Sequence, residues 1–100
     1  MRVPPGNLSA NVRRSLETTL RIVKGNEVTL RGGTDLLTDL ELDSLDLAEV
    51  TMRIEKDFGL GVEHEIDQLV DDLIQNGWTT LDQVCVHLTA FLERLVTLRA

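Results

Sequence analysis

The stretch Asp39-Leu40-Glu41-Leu42-Asp43-Ser44-Leu45-Asp46-Leu47-Ala48-Glu49-Val50 joins a segment without a period to one with a clear period, and the rest of the chain is read from that junction. Beyond it, Leu47, Val50, Ile54 and Phe58 fall on one helical stripe, with Asp46, Glu49, Arg53 and Asp57 on the other. Gly59 and Gly61 are the stop. The spacing therefore predicts a helix with an apolar back and a charged front, and it puts Ser44 at the N-terminus. A serine there can expose its hydroxyl, and a phosphate joined to it would meet backbone N–H groups that lack intrahelical partners at the favourable end of the helix dipole. The plainer reading of Asp43-Ser44 is an N-cap, with Asp43 and Asp46 at capping-box spacing.

Upstream, Val12, Leu16, Leu20 and Val23 recur at helical spacing and Gly25 follows, which predicts a first helix over roughly 9–24. Residues 26–42 hold Gly32-Gly33 and no sustained period, but Leu36, Leu37, Leu40 and Leu42 are too apolar for solvent. They read as a long loop pinned to the core. Downstream, Ile66, Leu69, Val70, Leu73 and Ile74 predict a third helix broken by Asn76-Gly77. Thr79 or Thr80 can cap a fourth, whose stripe is Leu81, Val84, Cys85, Leu88, Phe91, Leu92 and Leu95. The expected fold is all-α, a four-helix bundle with a long loop between helices 1 and 2. A chain of 100 residues has room for one core, and with 42% apolar residues and three aromatics that core is aliphatic. The expected layout is an N-terminal tail over 1–8, one domain over 9–96 and a C-terminal tail over 97–100.

Charge is unevenly spread: residues 1–33 carry a net +4, residues 34–72 a net −11 and residues 73–100 none. An acidic middle third disfavours nucleic acid and anionic lipid and favours basic protein surfaces. Lone Cys85 cannot form an internal disulfide, the start MRVPPGN has no apolar run of signal-peptide length, and no stretch approaches a membrane span. A cytoplasmic location and a monomer are expected. No catalytic motif is present, so no enzyme activity is expected. His64 and His87 lack the cysteine pairs of a zinc site. A calcium loop begun at Asp39 would lack glycine at its sixth place and end on Val50, so no metal site is expected. Cys85 reads as a small buried hydrophobe, and Trp78 as a hydrophobic staple packed against the bundle.

From about Ser9 to Leu95 the chain resembles the acyl carrier protein family, most specifically through residues 39–58, DLELDSLDLAEVTMRIEKDF. The resemblance implies that Ser44 accepts 4′-phosphopantetheine from coenzyme A through a phosphopantetheinyl transferase, and that the thiol of the arm then holds cargo as a thioester. It also implies that Asp43, Leu45, Asp46, Glu49, Met52 and Glu55 meet partner enzymes, the acids through salt links and the two apolar side chains through shallow pockets. The residues agree, because Leu45 and Met52 lie off the buried stripe and Met suits a surface that must fit several partners. By the same likeness an aliphatic core of this kind would part to shelter an acyl chain.

Some features depart from the family. Glu41 stands where many relatives have glycine, Arg53 and Lys56 stand where acids are common, and Glu63–Trp78 is long for the third-helix region. Three functions follow as expectations. The first is an acyl carrier for fatty acid, polyketide-type or specialised lipid biosynthesis, served by acyl-loading and acyl-transferring enzymes with basic patches. The second is an aminoacyl carrier loaded by an amino acid ligase, and the third an unmodified acidic adaptor for which Ser44 is only a cap.

Overall fold

The computed structural model describes residues 8–59 and 63–99, side chains excepted at 63–65 and 96–99. Among them the chain forms four helices and no strand: α1 (Leu8–Lys24), α2 (Ser44–Phe58), α3 (Glu63–Asn76) and α4 (Leu81–Arg99). The all-α bundle and its long first loop are as expected. The predicted stop at Gly61 and the His64 side chain lie outside the described residues. Two helix ends lie beyond the predicted ones. α1 starts at Leu8, which is buried, and α4 runs past Leu95 to Arg99.

α1 buries Leu8, Val12, Leu16, Thr19 and Leu20 and packs against α2 and α4, while α3 packs against α2. α4 contributes Leu81, Cys85, Leu88, Phe91 and Leu92. Ser15 Oγ donates to Asp57 Oδ2 at 2.6 Å, tying α1 to α2. Gly59, left-handed at φ 64°, ends α2 by donating its N–H to the carbonyls of Glu55 and Lys56. α3 closes in the same manner, through Gly77 N–H to the Ile74 carbonyl and Trp78 N–H to the Leu73 carbonyl.

The long loop is held from both sides. Leu36, Leu40 and Leu42 are buried and Leu37 half-buried, as their apolar character predicts. Its backbone is also stitched to the head of α4. Leu36 N–H donates to the Thr79 carbonyl and Leu81 N–H to the Thr34 carbonyl, both at 2.8 Å, and Asp82 N–H to the Gly32 carbonyl at 3.0 Å. Asp35 is the pivot: its carboxylate accepts from the backbone N–H groups of Leu37 and Thr38 and from Thr79 Oγ1. The Thr38 N–H, with the Thr79 hydroxyl and Leu37 N–H, holds the Asp35 carboxyl below its ordinary value. At Gly32 a Cβ would collide with the Asp82 carboxylate, which Arg13 Nη1 grips at 2.6 Å. Glycine there lets the loop, α1 and α4 meet at one node.

Candidate functional site

Asp43, not Ser44, caps α2. Its extended backbone (φ −95°, ψ −177°) aims Oδ1 at the Asp46 N–H, 2.8 Å away, and Asp46 Oδ2 returns the bond to the Asp43 N–H at 3.2 Å. The capping box is therefore complete without the serine. Ser44 opens the first turn, exposed, and its hydroxyl makes no hydrogen bond with any described residue. Three residues earlier, Glu41 adopts φ 53°, a left-handed conformation that L side chains rarely take. The loop reverses there to bring Leu42 into the core and Asp43 to the cap.

The other predicted positions divide into two groups. Leu45 is 81% exposed and Met52 58%, so both apolar side chains face solvent. Met52 lines a shallow groove with Glu49, Arg53, Glu55 and Lys56. Within it Arg53 Nε lies 3.5 Å from Glu49 Oε2, so the basic departure is partly absorbed by its own helix. Asp46 differs from Glu49, because its carboxylate serves the cap and also meets Lys24 Nζ at 3.4 Å. The charged front thus begins with an acid already committed to the fold.

Behind α2 lies an apolar cavity of about 60 Å³, lined among others by Leu37, Leu47, Val50, Val70, Leu73 and Ile74. Leu47 and Val50, which border it, are half-buried. Thr51, a polar residue on the apolar stripe, is buried with its hydroxyl donating to the Leu47 carbonyl at 2.9 Å. Two of the outlying predictions differ in outcome. Cys85 is buried, and desolvation pushes its thiol up, as a core residue requires. Trp78 does not staple into the core. It is 39% exposed and stacks on His87, centroids 4.4 Å apart, because the cap of α4 is Thr80 and Trp78 lies one residue too early for a staple.

Sequence reasoning missed Lys24, the Asp35–Thr79 contact and the Gly32–Asp82–Arg13 node. Each joins residues far apart in the chain. Only the four-residue spacing of Asp35 and Asp39, whose carboxylate accepts the Asp35 N–H, was a local turn signal.

Residues 11–75 match the family model described as phosphopantetheine attachment site. No curated protein and no solved structure matches the chain. The match spans well over half of the chain and includes the whole loop and α2, so the protein belongs to the phosphopantetheine attachment-site family, whose domain receives 4′-phosphopantetheine covalently. It is a carrier protein, a class typically without catalysis of its own, and it works with a phosphopantetheinyl transferase and with acyl-handling enzymes in general. The described geometry suits the group. The matched span contains two serines; the Ser15 hydroxyl is engaged by Asp57, whereas that of Ser44 is exposed and unengaged. None of the described helices is long and apolar enough to cross a membrane.

Proposed function

We propose that Ser44 carries the phosphopantetheine arm and that the protein delivers thioester-linked acyl groups to enzymes of fatty acid, polyketide-type or specialised lipid synthesis. The observation that carries this reading is the division of labour at the head of α2: Asp43 caps, and the Ser44 hydroxyl is left exposed. In the attachment step the serine oxygen bonds to the phosphorus that bears the pantetheine. The bond from that phosphorus to the adenosine bisphosphate part of coenzyme A breaks, and the hydroxyl proton passes to a base of the transferase. The arm then supplies a thiol at the end of a long tether. α2 supplies the docking face, with Leu45 and Met52 as apolar contacts and Asp43, Glu49 and Glu55 as acids that orient a basic partner and speed its encounter. Asp46 belongs to that face mainly by holding its first turn.

The acyl reading draws support from the cavity behind α2, whose exposed lining is almost wholly apolar. Its volume of about 60 Å³ equals the liquid volume of about two waters, so a chain longer than a few carbons would enter only as Leu47, Val50, Val70 and Ile74 move apart. The test is intact-mass measurement after incubation with coenzyme A and a broad-specificity phosphopantetheinyl transferase. One phosphopantetheine gained by the parent protein and none by Ser44→Ala is the expected result. A folded parent that gains nothing overturns the reading in favour of an unmodified adaptor, and holo protein that accepts amino acids but no acyl group moves the cargo to the aminoacyl class.

A further inference from the structure

Residues 25–43 separate α1 from α2 along the chain, yet the last residue of α1 returns to the first turn of α2. Lys24 Nζ lies 3.4 Å from Asp46 Oδ2, the oxygen that also accepts the Asp43 N–H. Ser44 is the next residue after Asp43, so the ammonium stands beside the backbone that roots the serine. Both side chains are partly shielded, with relative exposures of 28% and 24%, and shielded charges are screened less by salt than fully exposed ones. Among the described residues no other cation is ion-paired to the first turn of α2.

The surroundings of Ser44 are otherwise acidic: Asp39, Glu41, Asp43 and Asp46 precede or flank it. A phosphodiester formed there adds one more negative charge. Asp46 has a second partner in the capping box, so it keeps its place when the lysine leaves. Lysine is a compact charge on a flexible four-carbon stem with three rotatable donors, which suits it to exchange one oxyanion for another nearby. We propose that Lys24 rests on Asp46 in the unmodified protein and becomes the counter-ion of the phosphodiester once the arm is attached, fixing the root of the arm against α1. This rests on the assignment of Ser44 as the attachment residue.

The experiment uses the full chain in holo form and reads the phosphorus-31 resonance of the attached phosphodiester. Lys24→Gln, Lys24→Arg and Asp46→Asn are compared, with the last also combined with Lys24→Gln. The expected result is a displaced resonance in Lys24→Gln, a near-parental one in Lys24→Arg, and the same displacement by Lys24→Gln when Asp46→Asn is already present. Asn at position 46 can still accept the Asp43 N–H, so the cap survives, and circular dichroism checks each fold. An unmoved resonance in Lys24→Gln overturns the proposal, as does a displacement that vanishes in the Asp46→Asn background, which would limit Lys24 to acting through Asp46. Absence of any mass gain in the parent overturns the Ser44 assignment itself, and that outcome is visible before any resonance is recorded.

Discussion

The heads of α2 and α4 are built from the same local device and used in opposite ways. At α4, Thr80 Oγ1 accepts the Gln83 N–H and Gln83 Oε1 accepts the Thr80 N–H, a box equivalent to that of Asp43 and Asp46. In α4 the first helical residue is Leu81, fully buried, and the residue before the cap, Thr79, is buried and bonded to Asp35. In α2 the first helical residue is Ser44, exposed and without a described hydrogen bond. One box fastens the long loop to the core; the other leaves a hydroxyl standing in solvent. A cap thus sets where a helix begins, and the residue just inside it decides whether that beginning is buried in the fold or left open to solvent.

The contrast is sharpest in the first inner residue. Leu81→Ala should cost about 3 kcal/mol, because it empties a fully buried site, and lower the melting temperature by about 15 °C in a domain of this size. Ser44→Ala should change stability by less than about 0.5 kcal/mol. Thermal unfolding followed by circular dichroism compares the two, and a large loss in Ser44→Ala would break the comparison.

The fastening side can be released by acid. Asp35→Ala removes an acceptor of three hydrogen bonds and should cost about 2 kcal/mol near neutral pH. The native carboxyl is held below its ordinary value, first by the Thr38 N–H. Its stabilising effect is therefore fully present above the unfolded value and fades as pH falls through the folded one. Denaturant titrations from neutral pH down through the carboxylate range should show parent and variant converging only at the acid end; a gap that stays constant would refute the role of the charge.

A smaller effect than either loss is expected at Glu41, and it is a gain. Glu41 at φ 53° pays about 1–2 kcal/mol for its left-handed backbone, and glycine would give back about 0.5–1 of that through its freer unfolded chain. Glu41→Gly should therefore raise stability by roughly half a kcal/mol, measured as a melting shift of a few degrees, with Ser44 presented as before. A loss would mean that the Glu41 side chain supports the turn.

Periodicity made the four helices and most of the core legible, since each buried stripe repeats every three or four residues. Thr19 and Thr51 were hidden because burial of a hydroxyl depends on a neighbouring surface that local spacing does not encode. At the candidate site, Asp43, Ser44 and Asp46 were legible as a capping pattern and, through the family resemblance, as more than that. Both are good caps, but the capping-box spacing to Asp46 already pointed to Asp43, and the backbone angles and reciprocal hydrogen bonds agree. The departure at Glu41 was visible as a missing glycine, and the left-handed backbone gives its physical meaning. Lys24 was out of reach, since its partner lies 22 positions away across a loop without a period.

The stitching of the loop to α4 also bears on the order in which the chain can assemble during synthesis. Asp35 waits for Thr79, Gly32 for Asp82, and Arg13 for that same Asp82. Such distant contacts form late and slowly compared with a helical turn. A ribosome must therefore release the head of α4 before the loop that leads into Ser44 has its anchor, so the start of α2 settles only when nearly all of the described bundle has been made.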